Sequence, residues 1–149
     1  MIYDASLLLS DQQAITASAA STNSYDAGAT GTPYGATNPV ARDLGHGAEI
    51  PVAVNVVATF NNLTSLSVAW QTADDAGFTT NVETVETGMA VPAASLVAGY
   101  QFRVPWTIPH GMRRRFNRLF YTVVGTAPTT GKITAGVVAA RQTNFVGGQ

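Results

Sequence analysis

The sequence predicts an all-β domain of about eight strands, a β-sandwich or barrel, and eight strands packed as two sheets would make a β-sandwich of jelly-roll type. Several segments alternate apolar and polar residues with a period of two, which is typical of strands that bury one face. Glycine, proline and asparagine recur at short intervals between these segments, as they do in turns. Because no segment has the periodicity of a long helix, two packed sheets are favoured over a mixed fold.

A single domain is expected for this chain of 149 residues, 46% of which are hydrophobic, since this length can bury a substantial core. We expect an N-terminal arm and short turn over residues 1–15, a long glycine- and proline-rich loop over 28–47, and a C-terminal tail over 141–149. Ser10 and Gln13 have capping-box spacing, which predicts one helical turn in the arm. Loops as long as 28–47 are uncommon in compact domains and are usually functional or partly mobile.

The clearest strand signal lies in residues 50–60, where every second residue from Ile50 to Phe60 is apolar. Residues 65–71 alternate in the same way and place Trp70 on the buried face. Further extended segments are expected in residues 1–9, 16–26, 82–87 and 132–140.

Residues 99–124 form the predicted centre of the fold, a strand, a basic corner and a second strand. Every second residue from Ala98 to Trp106 is apolar, so Trp106 is expected to pack in the core like Trp70. Pro105 and Pro109 end this strand because proline cannot donate to a ladder. The second strand is expected over residues 116–124.

Four arginines stand within six positions at this corner, Arg113, Arg114, Arg115 and Arg118, which we call the arginine cluster. One interpretation is a docking patch for an acidic protein surface, because guanidinium groups pair bidentately with carboxylates. The alternative is that these arginines pair with Asp74, Glu83 or Glu86 within the fold. All nine acidic residues lie at or before residue 86 and seven of the eight basic residues lie after it.

Residues for catalysis, cofactors or metals do not form a recognisable set, so we expect no enzymatic activity and no cofactor. The two histidines, His46 and His110, have no ligand or triad spacing, and the chain has no cysteine. Asp74 and Asp75 lack the spacing of a calcium loop and predict a solvated turn. The chain lacks a nucleic-acid reader motif and a long apolar run, so neither nucleic acid nor membrane is an expected partner.

Two parts of the chain carry a resemblance to a known family. The N-terminal part is Tyr3-Asp4 with residues 8–14 (LLSDQQA), and the C-terminal part comprises residues 102–105 (FRVP), 108–111 (IPHG), 114–126 (RRFNRLFYTVVGT) and 130–136 (TGKITAG). Both parts resemble the capsid cement, or decoration, proteins of tailed bacteriophages, particularly the jelly-roll cement family of Bordetella phage.

This resemblance implies a structural virion protein, made in the host bacterial cytoplasm and bound to the outer surface of an icosahedral capsid. Its expected partners are the major capsid protein and further copies of itself, as a dimer or trimer. The expected interface residues are the arginine cluster together with Tyr3, Leu7, Leu8 and Leu9.

A second function stays open, a carbohydrate- or receptor-binding β-sandwich on a virion or cell surface. Its stacking platforms would be Trp70, Trp106 or Tyr34, because sugars bind to exposed aromatic rings. Both tryptophans lie on apolar faces in the sequence pattern, which favours core packing for each.

Overall fold

A computed structural model of the chain describes residues 2–28, 30–31, 35, 37, 40–41, 49–109 and 114–141. The regular secondary structure of these residues is β-strand, apart from one short 3₁₀ turn at Ala93–Ser95. The strands are β1 (Tyr3–Ala14), β2 (Ala19–Ala20), β3 (Tyr25–Asp26), β4 (Thr30–Gly31), β5 (Val40–Ala41), β6 (Val52–Ala58), β7 (Leu63–Ala73), β8 (Glu83–Thr87), β9 (Val91–Pro92), β10 (Phe116–Gly125) and β11 (Lys132–Val138).

The longer strands form two antiparallel sheets, which confirms the predicted β-sandwich. One sheet has the order β1-β11-β6, and the other has the order β2-β10-β7-β8, with β3 also paired to β10 and β9 to β7. Strands β4 and β5 pair with each other inside the predicted long loop. The remaining residues of that loop, apart from its first residue, Gly35 and Thr37, lie outside the described residues, as do residues 142–149 of the predicted tail.

The core lies between the inner faces of the two sheets, where the predicted alternation holds. Val54 on β6 and Ile133 on β11 are fully buried, as are Leu66 on β7 and Leu119 on β10. Trp70 is 1% exposed, as the sequence predicts, and its indole Nε1 donates to Asn117 Oδ1 at 3.3 Å. Burying such side chains contributes about 1.5–3 kcal/mol each relative to leaving them exposed.

Residues 99–108, which we call the edge segment, do not form the predicted strand. They run along the free side of β6 and join it through two isolated bridges and several backbone hydrogen bonds. The Phe102 amide donates to the Val54 carbonyl, and the Val52 amide donates to the Trp106 carbonyl. Between these two hydrogen bonds the edge segment moves on by four residues, from Phe102 to Trp106, whereas β6 moves on by only two. This bend contains Pro105, which has no N–H to donate, and it leaves Trp106 58% exposed rather than in the core.

The predicted helical turn at residues 10–13 is also wrong, because these residues continue β1. Ser10 pairs with Ala135 and Gln13 with Ile133 of β11. The Ser10 hydroxyl does donate to Gln13 Oε1 at 2.7 Å, but across an irregular stretch of strand in which Gln12 has a positive φ of 44°. Pairing with a long neighbouring strand outweighs the local capping signal.

Candidate docking surface around the arginine cluster

Three members of the arginine cluster lie at the start of β10, and Arg113 lies outside the described residues. The register places this start of β10 beside two neighbouring strands, because Phe116 is opposite both Asp26 of β3 and Ala73 of β7. The chain therefore brings Asp26 and Asp74 to the same end of the sheet as Arg114 and Arg115.

Arg114 is held by carboxylates of its own chain. Its Nη1 donates to both carboxylate oxygens of Asp74 at 2.8 and 2.9 Å, and its Nε lies 3.8 Å from Glu83 Oε2. Hydrogen bonds from Asn81 and from Arg114 hold the pKa of Asp74 below its usual value. The intramolecular alternative is therefore confirmed for Arg114, with two of the three acids that the sequence indicated.

Arg115 forms a two-pronged ion pair with Asp26, through Nε to Oδ1 at 2.8 Å and Nη2 to Oδ2 at 3.0 Å. Its guanidinium also lies 4.9 Å from the centre of the Phe116 ring. The Asp26 hydrogen bond raises the pKa of Arg115. Asp26 was missed by the sequence analysis, since only the pairing of β3 with β10 reveals its position.

Arg118 differs from both neighbours, because none of its described partners is a carboxylate. Its Nε donates to Gln71 Oε1 at 3.0 Å. The guanidinium lies 4.0 Å from the centre of the Phe78 ring and 5.7 Å from that of Phe120. Partial burial lowers the pKa of Arg118.

The loop after β7 is organised by Asp75, as expected for a turn. Its carboxylate accepts hydrogen bonds from the backbone of Thr79 and Thr80 and from the Thr79 hydroxyl, at 2.7 to 3.2 Å. These bonds hold the pKa of Asp75 below its usual value, the largest cause being the Thr80 backbone. The loop positions Phe78, which is only 8% exposed, against Arg118.

The four predicted interface residues of β1 have different environments. Leu9 is 3% exposed and belongs to the core. The Tyr3 hydroxyl accepts from Asn55 Nδ2 at 2.6 Å and donates to the Thr134 carbonyl at 3.4 Å, and burial raises the pKa of Tyr3. Leu7 and Leu8 are half-buried and line a groove of about 440 Å³ between residues 5–9 and 22–25.

Arg141, which the sequence analysis left in the tail, is a buried structural cation. Its Nη1 donates to the carbonyls of Val52 and Pro105 at 2.8 and 3.0 Å, and its Nη2 donates to the carbonyl of Phe102. Its guanidinium lies 4.2 Å from the centre of the Trp106 ring. Arg141 therefore binds the edge segment to β6, and no local sequence signal marks it.

The described chain contains no cluster of three or more histidine, cysteine, aspartate or glutamate side chains placed to hold a metal. Within the same residues, no helix has the length and apolar character needed to cross a membrane. Both histidines, and Tyr34 of the carbohydrate hypothesis, lie outside the described residues.

A family model matches most of the chain, residues 9–140, and that family is Bbp16. The chain therefore belongs to the Bbp16 family, a Bordetella phage protein family, and is a phage virion-related protein. A comparison with curated proteins gave no match.

Proposed function

We propose that the chain is a structural protein of the virion, which binds the outside of an icosahedral capsid and cements neighbouring major capsid protein subunits. The observation that carries this proposal is its membership of a phage family across residues 9–140. The proposed role is non-enzymatic and uses no cofactor, nucleic acid or membrane. Its partners are the major capsid protein and a second or third copy of the chain.

The described surface supports a binding role through its composition and its rigidity. Only 11% of the residues are charged, and three of the cationic groups at the start of β10 are fixed by ion pairs or aromatic rings. Fixed side chains lose less entropy on binding than mobile ones. A stable contact buries roughly 1,200–2,000 Å², and many equivalent contacts on one shell act together through multivalency.

The positions of the two tryptophans give little support to the carbohydrate-binding alternative. Trp70 is buried in the core and offers no ring face to a sugar. Trp106 is exposed, but the Arg141 guanidinium already lies against its ring.

The test uses capsids assembled without this protein and the purified chain. We expect the chain to sediment with these capsids, to reach a fixed number of copies per shell, and to raise the temperature at which the shells break. Electron microscopy should show added density on the outer surface where subunits meet. If the chain stays in the supernatant at saturating concentration, or binds a glycan array instead, the capsid role is wrong.

A further inference from the structure

Arg118 is the one described member of the arginine cluster whose charge is not matched by a carboxylate. Arg114 and Arg115 each have a bidentate aspartate partner. The terminal Nη1 and Nη2 of Arg118 have no hydrogen-bond partner among the residues that the structure describes. Neither nitrogen is buried without a hydrogen-bond partner, since the buried and unpartnered side-chain nitrogens of the described chain are Arg114 Nε and Arg141 Nε. Solvent, or a partner, can therefore reach both.

The direction of the Arg118 guanidinium is fixed before any partner arrives. The side chain lies on the outer face of β10, opposite Gln71 of β7, whose amide oxygen holds Nε. The centres of the Phe78 and Phe120 rings lie 4.0 and 5.7 Å from the guanidinium carbon. A guanidinium held in this way needs little further ordering to bind.

The outer face of β10 and β7 continues beyond Arg118 with mostly small side chains on the β7 side. Along the outer face, β10 and β7 pair Phe120 with Ala69 and Thr122 with Ser67, so the floor on the β7 side consists of small residues. Val124, farther along the same face, is 49% exposed. An outer sheet face that carries an oriented cation without a carboxylate partner is suited to a protein surface that carries an acidic side chain.

We propose that Arg118 is a carboxylate receptor, which binds an aspartate or glutamate side chain on the outer surface of the major capsid protein. The proposal rests on the capsid role above and identifies the chemistry of that contact. Charge complementarity favours this partner, because the nearby acids Asp26 and Asp74 are occupied by Arg115 and Arg114. A charge-assisted pair with a planar carboxylate is the strongest interaction open to the two free nitrogens.

The experiment measures capsid affinity for the wild type, Arg118→Gln, Arg118→Lys and the matched control Arg103→Gln, which removes the same charge from an exposed site on the edge segment. We expect Arg118→Gln to weaken binding by about 10- to 100-fold. Arg118→Lys should lose part of the affinity, since lysine keeps the charge but not the fork. Arg103→Gln should stay within about threefold of the wild type. Circular dichroism and thermal unfolding check that each variant folds.

A second measurement tests the partner side without altering this chain. Capsids whose surface carboxylates have been converted to amides should bind the wild-type chain about as weakly as unmodified capsids bind Arg118→Gln. Equal capsid binding by wild type and Arg118→Gln overturns the proposal that Arg118 is a carboxylate receptor but leaves the capsid role intact. Failure of the wild type itself overturns both. A loss of self-association in Arg118→Gln, with capsid binding unchanged, would assign the carboxylate to a second copy and contradict the proposal.

Discussion

Strand β6 and the edge segment beside it have the same alternating sequence pattern and different structures. Strand β6 is hydrogen-bonded on both sides, to β11 in a register that is regular from Ile133 to Val137, and to the edge segment. The edge segment has β6 on one side only within the described sheet order, and it bends between Phe102 and Trp106. Alternation therefore indicates which side chains prefer burial, whereas a regular strand also needs neighbours that fix its register.

Arg141, which is not part of a strand, donates side-chain hydrogen bonds that hold the edge segment in place of regular strand pairing. Its guanidinium bonds to carbonyls on both sides of the junction, Val52 on β6 and Phe102 and Pro105 on the edge segment. Hydrogen bonds that involve a charged group contribute about 1.5–3 kcal/mol each when buried. The hydrogen bonds of this one side chain therefore take the place of several backbone hydrogen bonds between strands.

The largest expected effect follows from removing this cation. Arg141→Met should lower the free energy of unfolding by about 2–4 kcal/mol, because three buried carbonyls lose their donor. Urea unfolding measures the loss, and amide exchange should speed up at Phe102 and Ile108, which donate to the carbonyls of Val54 and Ile50. The exposed neighbour Arg103 provides the control, since Arg103→Gln should change stability by less than about 0.5 kcal/mol. Equal stability of the two variants would show that Arg141 does not hold the edge segment.

A matched pair of truncations compares side-chain packing in the two regions directly. Val54 of β6 is 0% exposed, whereas Val104 of the edge segment is half-buried. We expect Val54→Ala to cost about 2 kcal/mol and Val104→Ala less than about 1 kcal/mol, since only the first leaves a closed cavity. Thermal and urea unfolding of both variants check the difference. A larger loss at Val104 would mean that the edge segment carries more of the core than its burial indicates.

Local patterns were sufficient to predict the central strands of the sandwich. The residues of β6, β7, β10 and β11 alternate strongly, and each strand pairs with another long strand, so local preference and tertiary pairing agree. The errors arose where a distant partner decides the structure. The Ser10–Gln13 spacing is typical of a helix cap, but in the structure these residues pair with β11. Trp106 lies on the apolar face of the sequence pattern, but the chain bends at Pro105 and exposes it.

The candidate site shows the same limit. The arginine cluster and two of its acidic partners were visible in the sequence, since charges of opposite sign are natural partners. Asp26 was not, because its contact with Arg115 depends on the two-residue pairing of β3 with β10. The environment of Arg118 depends on Phe78, whose ring lies against its guanidinium. Phe78 stands in the loop after β7, in which Phe78 and Asn81 have positive φ.

The smallest expected effect concerns Glu86, a half-buried charge that contrasts with Arg141 because nothing in the described residues pairs with it. Glu86 lies opposite the buried Trp70, on the edge strand β8. Burial raises the pKa of Glu86, so the folded chain binds this proton more tightly than the unfolded chain. The ionised form therefore opposes folding at neutral pH, and this cost disappears as the pH falls through the folded pKa toward the unfolded value.

Glu86→Gln should accordingly stabilise the fold at pH 7 by up to about 0.5 kcal/mol and should have no effect near about pH 3, where the carboxyl is neutral in both states. Urea unfolding at the two pH values measures the difference. Asp75→Asn is the control of opposite sign, since the pKa of Asp75 is lowered by its loop hydrogen bonds. Its carboxylate stabilises the fold above the unfolded pKa, and that contribution is lost as the pH falls through the folded pKa. A Glu86→Gln variant that is less stable than the wild type at pH 7 would show that the Glu86 carboxylate has a favourable partner, and that β8, like the edge segment, is held by a buried charge.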